Sequence, residues 1–171
     1  MIRRHFHYRK EIFCLAAKAI SQLQHESGGK GFSAYHVRRG DFQYKQVCLS
    51  ILARSIMIVD VNNALLHTQV KMGAEDILKN TQEFLLPGEM VYISTDESNH
   101  TFFAPFVRAG YKIRFLSDIG KSVRLNTGLL EDPNYIGMLE QIVAAKGRIF
   151  VGTWYSTFTG YINRMRGVSF G

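Results

Sequence analysis

Cysteine is nearly missing from this chain of 171 residues: only Cys14 and Cys48 are present, too few to argue a disulfide framework. Two cysteines speak neither for nor against an oxidising compartment. Long apolar runs are also missing. The longest candidate, from Leu49 to Val61, is broken by Arg54 and Asp60 and is too short to span a bilayer. The first residues are basic, but Lys18 interrupts the apolar stretch before Leu23, so neither a signal peptide nor a membrane anchor is expected. No internal repeat or low-complexity tract is present. Acidic residues are in deficit, 14 against 21 Lys and Arg, leaving a net charge of +7. That balance suits an anionic ligand. It would also suit nucleic acid, but no nucleic-acid motif or interleaving of aromatic and basic residues accompanies it, and no such partner is expected. The cluster Arg3, Arg4, Arg9 and Lys10 reads as a solvated flank. What remains, 46% hydrophobic and 20% charged, is enough for one globular core.

Helix and strand patterns alternate along the chain. Ile12, Phe13, Ala16, Ile20 and Leu23 form the apolar face of an amphipathic helix. Gly28-Gly29-Lys30-Gly31 turns the chain into a strand over Phe32–Val37. Residues Ala74–Leu85 are predicted helical, and Pro87-Gly88 breaks them before a strand over Met90–Thr95. A helical stretch over Ser98–Arg108, weakened by Pro105, ends at Gly110, and Tyr111–Leu116 alternates as a strand. Asp132-Pro133 is a cap followed by a first-turn proline. It opens a helix with Tyr135, Met138, Leu139, Ile142 and Val143 as its buried stripe, and Gly147 stops it. Strands separated by helices imply an α/β fold with a largely parallel sheet.

Two motifs carry chemistry. The first strand ends in His36-Val37-Arg38-Arg39-Gly40-Asp41-Phe42, two guanidinium groups followed by a turn and a carboxylate. Ligands of open α/β sheets sit outside the carboxyl ends of strands, and a guanidinium fork there suits a phosphate. The alternative is a surface ion pair of Arg39 with Asp41. Near the other end, a strand over Arg148–Thr153 precedes Ser156-Thr157-Phe158-Thr159-Gly160-Tyr161-Ile162. Phe158, Tyr161, Ile162 and Met165 have helical spacing, and Ser156 or Thr157 would cap the helix. Hydroxyls, free N–H groups and the positive end of the helix dipole make an anion site, although plain capping needs the same residues.

These motifs, with Val91-Tyr92-Ile93-Ser94-Thr95-Asp96-Glu97 between them, occur in an order that resembles the donor-binding half of GDP-fucose protein O-fucosyltransferases, in particular their plant and algal branch. The resemblance covers roughly residues 11–47 and 71–167. It implies a Rossmann-like, mostly parallel sheet with flanking helices, the donor half of a GT-B glycosyltransferase. It also implies transfer of fucose from GDP-β-L-fucose to a hydroxyl with inversion, without a metal or other cofactor, in the lumen of the secretory pathway. Arg38 would stabilise charge on the β-phosphate, as the catalytic group. His36, Arg38, Gly40, Asp96, Ser156, Thr157 and Phe158 would bind the donor, and Arg39 and Asp41 would support them. Each has a plainer alternative: a hydrogen-bonded strand histidine for His36, helix capping for Asp96, core packing for Phe158. The acceptor, protein or glycan, and any general base would come from an upstream half that this sequence is expected to lack. A non-catalytic nucleotide-sugar-binding remnant is the competing expectation.

One stretch departs from the family pattern. About twenty residues, 48–70, intervene between the strand motif and the helix beginning Gly73-Ala74-Glu75-Asp76. They read either as an additional helix or buried strand or as translated intron sequence.

Overall fold

The computed structural model describes residues 8–39, 73–122, 132–153 and 156–167. Residues 48–70 lie outside them, as do Gly40 and Asp41.

Helix α1, Lys10–Glu26, turns its Ile12, Leu15, Ala16, Ala19 and Leu23 side chains inward. Phe13, expected on that face, is exposed. The buried stripe runs slightly around the helix from the one predicted, because Ala16 and Ala19 let the helix sit close to its neighbours. Gly28, Gly29 and Gly31 then adopt positive φ and reverse the chain into β1, Phe32–Val37, every residue of which is buried. Helix α2, Ala74–Thr81, and a 3-10 turn at Gln82–Phe84 lead to β2, Met90–Thr95.

The predicted helix over Ser98–Arg108 is two pieces. A 3-10 turn, His100–Phe103, is capped by Asn99, and α3, Ala104–Arg108, carries Pro105 in its first turn, where a proline starts a helix rather than weakening it. Strand β3 keeps only Lys112–Arg114 of the predicted Tyr111–Leu116. Asp118 takes the Phe115 N–H at 3.0 Å and so begins α4, Leu116–Ser122. Asp132 caps α5, Pro133–Ala145, by accepting from the Asn134 N–H at 2.8 Å, as expected from the Asp-Pro pair. Strand β4, Phe150–Gly152, and α6, Thr157–Met165, complete the described elements, with Met165 exposed rather than buried.

The four strands are parallel and ordered β3-β2-β1-β4. Residues of alternate parity on β1 and β2 face two separate apolar layers. Phe32, Ala34, Met90 and Tyr92 pack against α1, α5 and Ile162 of α6. Tyr35, Val37, Val91 and Ile93 pack against α2, Phe103, Phe106 and Phe115. Helices therefore cover both faces, which is why every residue of β1 and all but the last of β2 are buried. The fold is a doubly wound, Rossmann-like α/β sheet. At its amino end, Arg148 grips the buried Glu89 with two nitrogens, at 2.9 and 2.7 Å, and the Phe84 carbonyl at 2.7 Å. This ties the turn before β2 to the start of β4.

The strand order has a functional consequence. From β1 the chain winds outward through β2 to β3, then returns to the opposite side of β1 to form β4. The direction of winding reverses between β1 and β4, and such a reversal opens a crevice at the carboxyl ends of the two strands.

Candidate functional site

Both motifs meet at that crevice. His36 pairs with Gly152 in the last rung of the β1–β4 ladder, so Arg38 leaves β1 beside Thr153. The Thr153 hydroxyl donates to the His36 carbonyl at 3.1 Å and accepts from the Arg38 N–H at 2.9 Å. On the other flank, Asp96 follows β2. Its Oδ1 accepts from the Arg39 N–H at 2.6 Å, and its Oδ2 lies 3.9 Å from Arg38 Nε. The N-cap of the following helical turn is Asn99. The Arg38 side chain is 45% exposed, and at that exposure the ion pair with Asp96 is weak.

Arg39 takes a different course. Its guanidinium pairs with Glu97 at 3.0 Å and lies over the Phe102 ring, 3.7 Å from the centroid. The two arginines part, as alternation predicts, and Arg39 is held by a carboxylate and a cation–π contact. The expected support from Asp41 concerns a residue outside those described.

His36 is buried. Its ring stacks on Phe158 at 4.4 Å between centroids, and Nδ1 lies 2.8 Å from Thr159 Oγ1. Burial lowers its pKa to about 4, outweighing the nearby Asp96, and Arg38 adds to the lowering. The ring is thus neutral at physiological pH. The close approach of α6 that makes this possible depends on Gly152. A Cβ there would come within 2.8 Å of Thr159 Oγ1 and 2.9 Å of the Phe150 ring.

Helix α6 points its amino end into the same crevice. Ser156 is the N-cap residue, as expected, but its hydroxyl makes no capping bond. The buried Ser156 Oγ has no hydrogen-bond partner among the described residues. A polar atom in that state costs about 1–3 kcal/mol. Thr157 is the exposed first residue of the helix and Phe158 the second. The first N–H groups of any helix lack partners within it.

A cavity of about 330 Å³ lies at the same edge of the sheet, where β3 stops short of β2. Ile93, Phe115, Leu116 and Ile136 give it apolar walls, and Thr95, His100 and Glu140 supply polar groups. His100 stacks on Phe115 at 3.7 Å. Glu140 accepts from the Ser94 hydroxyl at 2.9 Å, and burial raises its pKa from 4.5 to about 7. Thr95 joins this cavity to Asp96 and hence to Arg38. Neither Glu140 nor Thr153 was singled out by sequence reasoning. The available signal for Glu140 was an acidic residue one helical turn from both Ile136 and Ala144, inside an otherwise apolar stripe.

A family model, GDP-fucose protein O-fucosyltransferase, matches residues 1–169. The chain belongs to that family. Neither the curated proteins nor the solved structures provide a match. Membership makes this a fucosyltransferase-type glycosyltransferase chain, and the parallel sheet with helices on both faces accords with the family's Rossmann-like fold. Family enzymes take GDP-fucose and an acceptor, and act in general in the secretory-pathway lumen. Among the described residues no helix is long and apolar enough to cross a membrane.

Proposed function

We propose that this O-fucosyltransferase-family chain binds GDP-fucose along the carboxyl edge of its sheet. The enzyme it belongs to would transfer the fucose to a hydroxyl on a protein or glycan, with inversion. The observation that carries this is that Arg38 leaves β1 beside Thr153 at the β1–β4 crevice, the crevice that also receives the amino end of α6 with its unpartnered Ser156 hydroxyl. Each is a feature that a diphosphate satisfies.

In this reading Arg38 meets the β-phosphate, where negative charge grows as GDP leaves, and acts as the electrophilic element. Ser156, Thr157 and the α6 N–H groups hold the remaining phosphate oxygens. Arginine and helix dipole together supply the positive potential that other glycosyltransferases draw from a metal, so we infer a metal-independent reaction. The guanine enters the cavity at Glu140. Its Watson–Crick edge presents two adjacent donors, N1–H and N2–H, and a carboxylate offers two acceptors to match. Asp96 holds the backbone and side chain of the arginine pair from the nucleotide side. His36 and Phe158 form the wall between base and phosphates. The acceptor and the general base belong to another part of the enzyme, so the described unit is the donor-binding half. By the family's general habit the reaction would take place in the secretory lumen.

Calorimetric titration tests this reading. A charge-assisted contact is worth roughly 1.5–3 kcal/mol, so GDP should bind roughly 10–150-fold more tightly than GMP. ADP, whose Watson–Crick edge pairs one donor with an acceptor, should bind more weakly than GDP. Equal binding of GDP and GMP by the folded protein would overturn the assignment of Arg38.

A further inference from the structure

The ladders that hold β1 stop before its functional residues. Pairing with β4 ends at His36–Gly152, and pairing with β2 ends at Val37–Thr95. The peptide N–H groups of Arg38 and Arg39 therefore lie beyond the sheet. Each is taken up by a side chain from an opposite flanking strand: Arg38 N–H by Thr153 Oγ1 at 2.9 Å, Arg39 N–H by Asp96 Oδ1 at 2.6 Å. Thr95 Oγ1 adds a bond to the Val37 carbonyl at 2.5 Å.

Thr153 has the more constrained role. Its own N–H donates to the His36 carbonyl at 3.0 Å, and its hydroxyl donates to that same oxygen at 3.1 Å. With its single proton committed to His36, the hydroxyl can only accept from Arg38. The rotor is thereby fixed, and the alignment of β1 with β4 continues one residue past the last rung. Arginine is long and flexible, so a small rotation at its Cα becomes a large displacement of the guanidinium. A phosphate site needs its groups held to roughly 0.5 Å.

We infer that Thr153 is a positioning residue for the phosphate-binding arginine: its hydroxyl fixes the backbone from which Arg38 reaches the β-phosphate, without touching the nucleotide itself. This rests on the donor-site reading above. Thr95 and Asp96 hold the same strand end from the β2 side, so the arginine pair leaves the sheet between two hydroxyls and a carboxylate.

The test measures GDP and GMP affinities by calorimetry for wild type, Thr153→Val, Thr153→Ser and Arg38→Lys, with melting temperatures recorded alongside. Valine keeps the shape and removes the hydroxyl. It should weaken GDP roughly ten-fold, the worth of one hydrogen bond, and leave GMP within about two-fold, so the preference for GDP falls. Serine should restore the preference. In an Arg38→Lys background, Thr153→Val should have little further effect on the preference, because the two residues act as one unit. Should the valine variant fail to fold, Thr153→Ala is read the same way. Equal losses for GDP and GMP, or additivity with Arg38→Lys, would overturn the positioning role while leaving the donor site intact. A wild type without any preference for GDP would overturn both.

Discussion

Glu140→Gln should make the empty protein more stable and its nucleotide site worse. The carboxylate sits in a partly apolar cavity, and burial raises its pKa from 4.5 to about 7. Because the folded value lies above the unfolded one, the contribution of this group to stability is fully present below about pH 4.5. It is lost as pH rises towards and through 7. One pKa unit corresponds to about 1.4 kcal/mol, so ionising Glu140 in the empty protein costs about 3 kcal/mol near pH 8 and under about 1 kcal/mol near pH 5. Glutamine has the same length, can still accept from Ser94, and carries no charge to desolvate. For a chain of this size, about 3 kcal/mol is a rise of about 6–12 °C in melting temperature near pH 8. The gain should shrink steadily on acidification. Nucleotide binding should move the other way, because glutamine offers one acceptor and one donor to a guanine edge that presents two donors. A buried donor left facing a donor costs roughly 1–3 kcal/mol, or roughly 5–150-fold in GDP affinity. GDP itself titrates near pH 6–7, so the affinity of both proteins must be followed over pH, and only their difference reports Glu140. Thermal melts at several pH values and calorimetry check the two halves separately. A melting temperature that rises equally at all pH values would refute the buried-carboxylate argument. Unchanged GDP affinity would refute the placement of guanine.

Arg38→Lys keeps the charge but loses the planar fork and should lower GDP affinity, whereas Arg39→Lys should leave it nearly unchanged. The second variant should instead lower the melting temperature slightly, through the lost stacking on Phe102 and the poorer pairing with Glu97, worth about 0.5–1 kcal/mol; titration and melting of both variants decide, and the opposite pattern would reverse the assignment of the two arginines. Gly152→Ala forces a methyl group against Thr159 and Phe150 and should cost about 1–3 kcal/mol. Because α6 must move to relieve the clash, GDP affinity should fall along with the melting temperature, and a stable variant with wild-type binding would show that the approach of α6 to β4 is not needed.

Local physics made much of this protein readable in one dimension. Strand β1 falls within its predicted bounds because a glycine-rich turn and two arginines bracket an apolar run, and Asp132-Pro133 starts α5 because cap and first turn are consecutive in the chain. The placement of Arg38 and of Ser156 at strand and helix ends followed from the same local signals. The partners of those residues did not. Glu97 and Phe102 hold Arg39, Thr153 holds Arg38, and Ser94 meets Glu140, each across a long stretch of chain. Periodicity showed that α1 and α6 have an apolar face, but whether Phe13 and Met165 were covered depended on which elements packed beside them. The Tyr111–Leu116 alternation was cut short for a similar reason: Asp118 drew the Phe115 N–H into a helix start. Above all, the order β3-β2-β1-β4 put the two motifs proposed to bind phosphate side by side. Sequence spacing carries no information about which side of β1 the last strand takes. That choice is made by the packing of helices on both faces of the sheet, and the crevice between β1 and β4 exists only because of it.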